Sequence, residues 1–156
     1  LPGGIVFRGT FDKIEKQAEG EIKVVDYKTG KPDKHVKKIS NCRDLASHEC
    51  DDYFRQLVAY KMLYERYHKT KAGGKVTKGV LEFLDPVGRD VKKYGLQKGE
   101  YKNEEVDLTD DMVKELEKVI KNCWSDIQDL KFEKLEERDD KDRCKFCDFD
   151  SICWGV

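Results

Sequence analysis

No stretch of this sequence approaches the roughly 20 apolar residues of a membrane-spanning helix, which excludes such a span. Neither sign of charge dominates. The 31 basic and 32 acidic residues leave a net charge of −1, so a nucleic-acid surface has to be a local patch, not a property of the whole chain. Proline is scarce, and no internal repeat is present. The first residues, Leu1-Pro2-Gly3-Gly4-Ile5, have no initiator Met and no secretion-signal character. They read as a cut inside a larger protein, and a fragment is expected.

What is present argues for a folded, very soluble domain. Charged residues make up 40 % of the chain, yet seven Phe, seven Tyr and two Trp give more aromatic surface than a disordered chain carries. A length of 156 residues suits one domain with a modest core. There are six cysteines: Cys42, Cys50, Cys123, Cys144, Cys147 and Cys153. An even count is compatible with disulfides in a secreted protein. The Lys-rich, Pro-poor remainder favours a reducing cytoplasm, with the C-terminal cysteines as a metal or iron–sulfur site.

Residues 5–16 and 21–28 read as two strands joined at Ala18-Glu19-Gly20, a hairpin. On the second strand Ile22, Val24, Asp26 and Lys28 share one face by the period of two. Residues 31–48 are polar and basic and read as a long loop. Residues 49–69 carry a helical apolar stripe of Phe54, Leu57, Val58 and Tyr60 to Tyr64. After a break at Ala72-Gly73-Gly74, a third strand is expected at Lys75–Asp85 and a fourth at Arg89–Leu96. Thr109 caps a second helix of about 20 residues, its acids in the first turn where the dipole favours them. Its expected buried face is Val113, Leu116, Val119, Ile120, Trp124, Ile127 and Leu130. The order β-β-α-β-β-α implies an α+β or α/β fold with helices packed on a sheet.

The chemistry gathers at Asp26 and Lys28. Two apart on a strand, both side chains point the same way. A carboxylate there can hold a divalent cation while the ammonium sits beside a scissile phosphate or an attacking water. Asp12, near the end of the paired strand, is brought toward Asp26 by the hairpin. The pair alone means little: independent placement of these acids and bases yields about six such pairs, and a surface ion pair is the plain alternative. Its weight comes from its setting at the end of an apolar strand, from Asp12 before it, and from Gly30 just after.

Phe7-Arg8-Gly9-Thr10-Phe11-Asp12-Lys13-Ile14-Glu15, then Val25-Asp26-Tyr27-Lys28-Thr29-Gly30-Lys31, then Gln56-Leu57-Val58-Ala59-Tyr60, resembles the PD-(D/E)xK nucleases of the RecB/AddB type, with Lys13 where the family usually has Arg. The resemblance implies a restriction-endonuclease-like core over 1–156: a mixed central sheet flanked by helices, with a cysteine-rich tail over 136–156. It implies a divalent-metal-dependent deoxyribonuclease, an exonuclease working with a helicase in DNA repair or recombination in the prokaryotic cytoplasm or nucleoid. Asp12 and Asp26 would hold Mg²⁺ or Mn²⁺, with the Tyr27 carbonyl as a further ligand. Lys28 would polarise the attacking water and stabilise phosphorane charge. Gln56 and Tyr60, four apart on one helix face, would support Lys28 or contact the DNA backbone. The family often adds a metal-binding His on an upstream helix, for which the chain starts too late; His35, His48 and His68 read as surface residues. Cys144-x₂-Cys147-x₅-Cys153 resembles the three-cysteine tail of iron–sulfur members, where a fourth cysteine lies upstream. Zinc or a [4Fe-4S] cluster would suit these thiolates, and without the fourth ligand the cluster is expected to be incomplete. Cys42, Cys50 and Cys123 have no ligand spacing and are given structural or incidental roles.

Lys31, Lys34, Lys37 and Lys38 follow the Asp26 strand and are expected to meet DNA phosphates, which need only such charges. Lys69, Lys71, Lys75 and Lys78 read equally well as solubilising. Two other classes stay open: an inactive DNA-binding or scaffold domain of the same fold, and a zinc-binding interaction module.

Overall fold

The computed structural model of the chain describes residues 1, 4–35, 42, 44–47, 50–68, 74–92, 95–131, 134–139 and 144–155. It divides into two compact units, Leu1–Lys121 and Asn122–Val156. The first holds a four-stranded sheet in the order β1 (Lys13–Lys16), β2 (Glu21–Lys28), β3 (Lys75–Phe83) and β4 (Asn103–Asp107). The pairings β1–β2 and β3–β4 are antiparallel, and β2–β3 is parallel. Helices α1 (Asp52–Tyr67) and α2 (Asp110–Gln128) complete the mixed α+β architecture expected of a restriction-endonuclease-like fold.

The period of two explains β2. Ile22 and Val24 are buried on one face and face the apolar stripe of α1, where Phe54, Leu57, Val58 and Tyr60 are buried. The parallel register places Val24 beside Gly79 and Asp26 beside Leu81. A Cβ at Gly79 would stand 3.1 Å from Leu57 and 3.0 Å from Leu108, so the glycine lets α1 lie close to the sheet. Asp51 caps α1, its Oδ1 accepting from the Tyr53 amide at 2.9 Å; Thr109 caps α2 through the Met112 amide.

The elements differ from expectation in four places. The first strand is Lys13–Lys16, not residues 5–16. Antiparallel pairing alternates bonded and non-bonded pairs, and continuing it would offer the Tyr27 amide to the Phe11 carbonyl. The Asp12 carboxylate takes that amide instead, at 2.9 Å. Among the described residues of Arg89–Leu96 the pairing is a single bridge, Val91 to Leu96, closed over a small cluster with Val87. The fourth strand is Asn103–Asp107, a charged edge strand whose Glu105 and Asp107 pair with Lys78 on β3. Finally, the apolar face of α2 is covered only in part. Leu116 is buried, and the core cluster reaches Met112, Val113 and Ile120. Trp124 at 41 %, Ile127 at 44 % and Leu130 at 77 % exposure lie beyond it.

Two further expectations change. Cys42 and Cys50 form a disulfide, so neither is a reduced thiol here. His35 is half-buried, with Nδ1 3.1 Å from Asp51 Oδ2 and its ring tilted against that of Tyr53. His68, the residue after α1, is also half-buried, against Tyr64. His48, Lys37, Lys38, Lys69 and Lys71 lie outside the described residues. Among the described residues no helix is long and apolar enough to cross a membrane.

In the second unit a short helix, α3 (Asp150–Trp154), is held by Arg138, which donates from Nε and Nη2 to the two Asp150 oxygens. That guanidinium holds the Asp150 carboxyl below its ordinary pKa. Lys134 lies over the Trp154 ring.

Lys61 is the least expected core member. It is fully buried, and its Nζ contacts Glu65 Oε1 at 2.7 Å, the Val76 carbonyl at 2.6 Å and Asp110 Oδ1 at 3.1 Å. It ties α1 to the start of β3 and the start of α2. Its carboxylate partners keep access to water, so truncation chiefly leaves a cavity and an unpaired Val76 carbonyl, and removing a long buried side chain costs about 2–5 kcal/mol. Lys61→Ala is therefore expected to lower unfolding free energy by about 3 kcal/mol in a urea titration; an unchanged midpoint would rule out the staple.

Candidate active site

Strand β2 ends at a buried charge. Asp26 is 2 % exposed, and an isolated carboxylate there would be costly. The sequence supplies its partners from α1. Gln56 Nε2 donates to Asp26 Oδ1 at 2.9 Å and the Tyr60 hydroxyl donates to the same oxygen at 2.8 Å. Gln56 Nε2 also lies 2.7 Å from the Tyr60 hydroxyl oxygen. Lys28, two residues on and on the same face, pairs with Asp26 Oδ2 at 2.7 Å and donates to Gln56 Oε1 at 2.6 Å. The Lys28 ammonium also sits 4.0 Å from the centre of the Tyr53 ring. Tyr27, between them, turns its ring to the opposite side of the strand, where it is 39 % exposed.

Asp12 stands across from Asp26. The hairpin pairs Lys13 with Val25, so the next residue pair outward is Asp12 and Asp26. The bond from the Tyr27 amide to Asp12 Oδ2 fixes that carboxylate. Phe11 packs against Tyr60 with ring centres 5.0 Å apart, which closes the apolar side of the cluster.

The structure thus brings Asp12, Asp26, Lys28, Gln56 and Tyr60 together, with Tyr27 supplying an amide. Gln56 bonds both Lys28 and Asp26, and Tyr60 bonds Asp26, a pairing their spacing did not reveal. Tyr53 was missed. Its signal was present: Tyr53, Gln56 and Tyr60 are at i, i+3 and i+7, one face of a helix. Of the basic residues, Lys31 is exposed beside Gly88, and of Lys34 only the backbone is described, in a short turn over Pro32–Lys34. The cysteines of the tail lie in the second unit. Cys144 is buried and accepts from the Asp139 amide; Cys147 is exposed and Cys153 half-buried.

The donors suit a hard divalent cation. Asp26 Oδ2 is buried and meets the Lys28 ammonium at 2.7 Å, with no further donor among the described residues. Carboxylate oxygens are the ligands Mg²⁺ and Mn²⁺ prefer, and Asp12 offers a second one nearby. Among the described residues no group of three or more His, Cys, Asp or Glu that could hold a metal ion assembles.

Burial, and then the bond to Asp26, push the Tyr60 phenol up to about 12 from its ordinary 10. A folded pKa raised above the unfolded value means that the stabilisation is complete below about pH 10 and is lost as pH rises through about 12. In an ultraviolet tyrosinate titration of the folded protein, Tyr60→Phe should remove the component that ionises last. Loss of an early component instead would contradict the buried bond to Asp26.

A family model, that of the PD-(D/E)XK nuclease superfamily, matches residues 2–154 and so embraces both units. No curated protein and no solved structure gave a match.

Proposed function

The chain belongs to the PD-(D/E)XK nuclease superfamily, and on that premise we propose that it hydrolyses DNA phosphodiester bonds with a divalent cation held at Asp12 and Asp26. The observation that carries this reading is the cluster in which Asp26, buried, keeps one oxygen on Gln56 and Tyr60 and turns the other toward Lys28. The Tyr27 carbonyl is the further ligand the resemblance implies. A bound Mg²⁺ or Mn²⁺ would supply Lewis-acid polarisation of a phosphoryl oxygen.

The remaining work falls to the chain's own groups. In hydrolysis, water attacks phosphorus, one P–O bond breaks and the departing oxygen takes a proton. Negative charge grows on the phosphoryl oxygens as this happens. The Lys28 ammonium, directed by Gln56 Oε1, offsets that charge and orients the water. Tyr60 and Gln56 hold Asp26 Oδ1, so the carboxylate keeps Oδ2 facing the site. The high pKa of Tyr60 keeps its phenol protonated and able to donate at any physiological pH. Lys31 and its neighbours Lys34, Lys37 and Lys38 are the phosphate contacts of this reading.

The order of the motifs (Asp12, then Asp26-x-Lys28, then Gln56-x₃-Tyr60) supports the RecB/AddB branch in particular. On that reading the enzyme is an exonuclease, partnered with a helicase in DNA repair or recombination, working in the prokaryotic cytoplasm or nucleoid. Cys144, Cys147 and Cys153 would be three of four cluster ligands in that branch.

Incubation with single- and double-stranded DNA and Mn²⁺ tests the proposal. Cleavage is expected, absent with chelator and reduced about a hundredfold or more by Asp26→Ala or Lys28→Ala, the scale on which one transition-state contact acts. Cutting that persists undiminished in both variants would exclude the site. DNA binding without cleavage would favour the inactive-scaffold reading.

A further inference from the structure

Lysine carries its charge on a flexible four-carbon stem, so an ammonium that acts on a phosphate has to be held. Two of its contacts are polar: Gln56 Oε1 at 2.6 Å and Asp26 Oδ2 at 2.7 Å. The third is the face of Tyr53, 4.0 Å away, well within the distance at which an aromatic quadrupole attracts a cation. The residue is held at its backbone and at its ring. The Tyr53 amide donates to Asp51 Oδ1 at 2.9 Å. The His35 ring packs against the Tyr53 ring at a tilt, with centres 4.5 Å apart, and His35 Nδ1 reaches Asp51 Oδ2 at 3.1 Å. Beyond His35 lies the buried Phe83 ring, stacked at 6.2 Å.

We propose that Tyr53 is a positioning residue for Lys28, its ring backed by His35, which Asp51 in turn holds, so that the ammonium is kept over its face. The partners of Lys28 differ in charge. Asp26 attracts the ammonium only while Oδ2 is free to do so; a cation engaging that oxygen weakens the attraction. Gln56 and the Tyr53 ring are neutral, and their hold does not depend on the state of the carboxylate. They keep Lys28 in place when Asp26 is occupied elsewhere. Gln56 is shared with Asp26 and Tyr60, whereas the Tyr53 ring, among the described residues, serves Lys28 and no other member of the site. The inference rests on the nuclease reading of Lys28, but the contact itself does not.

Two measurements separate these. In the metal-free protein, nuclear magnetic resonance of the Lys28 side chain should show its ε-methylene protons shifted upfield by the ring. The shift should survive Tyr53→Phe and vanish in Tyr53→Leu. In Mn²⁺-dependent single-turnover cleavage, Tyr53→Phe should stay within about twofold of the parent, and Tyr53→Leu should lose about tenfold in rate with DNA affinity unchanged. In a Lys28→Ala background, Tyr53→Leu should cost nothing more. If the Leu variant does not fold, Tyr53→Met gives the same comparison. Lys28 resonances indifferent to the ring, a Leu variant as fast as the parent, or an equal loss with and without Lys28 would each overturn the proposal. Lys28→Ala as fast as the parent would sink the nuclease role of Lys28, while the resonance shift would still report the contact.

Discussion

A carboxylate buried at the end of an apolar strand costs several kcal/mol unless its charge is met, and Asp26 is such a group. Much of the first unit can be read as the arrangement that meets it. Gln56 and Tyr60 have to arrive together, so α1 must lie across the sheet at a fixed height. Gly79 permits that approach and Lys61 fastens the far side of the same helix. Lys28 has to share the face of Asp26, which the pleat of β2 guarantees. Asp12 has to sit opposite, which the hairpin register provides. Burial that is costly for folding is useful for chemistry, because electrostatic interactions are stronger where water is excluded.

The sheet supports this economy in a second way. The side of β2 opposite the core is mixed: Val25 is buried there beside Val80, while Glu15 pairs with Lys13 and Lys23, and Lys78 pairs with Asp107. These are surface pairs, each contributing little to stability. They hold the Glu15 carboxyl down to about 2 and raise Lys13, each chiefly through their mutual bond.

How much of this could be read in advance differs by element. Strand β2 was legible to its ends because Ile22, Val24, Asp26 and Lys28 alternate without interruption, and the core of α1 was legible from its period. Strand β4 was not: Asn103, Glu104, Glu105 and Asp107 surround a single Val106, and an edge strand pairing through charges leaves no apolar signature. The far half of α2 was overread, since periodicity shows which face is apolar and not whether anything covers it. Asp12, Asp26 and Lys28 stood out from their order. Tyr53 and His35 did not, because their contacts join the start of a helix to a polar loop, and no local pattern records that. The Cys42–Cys50 bond was hidden for the same reason.

The central claim is that Asp12 and Asp26 form a binding site for a hard divalent cation. Titration of the intact chain with Mn²⁺, followed by paramagnetic broadening of its backbone resonances, tests this without any substrate. The account requires broadening centred on Asp12, Asp26 and Lys28, reversed by excess Mg²⁺ and abolished in Asp26→Asn. Broadening centred on other carboxylates, or unchanged in Asp26→Asn, would contradict it.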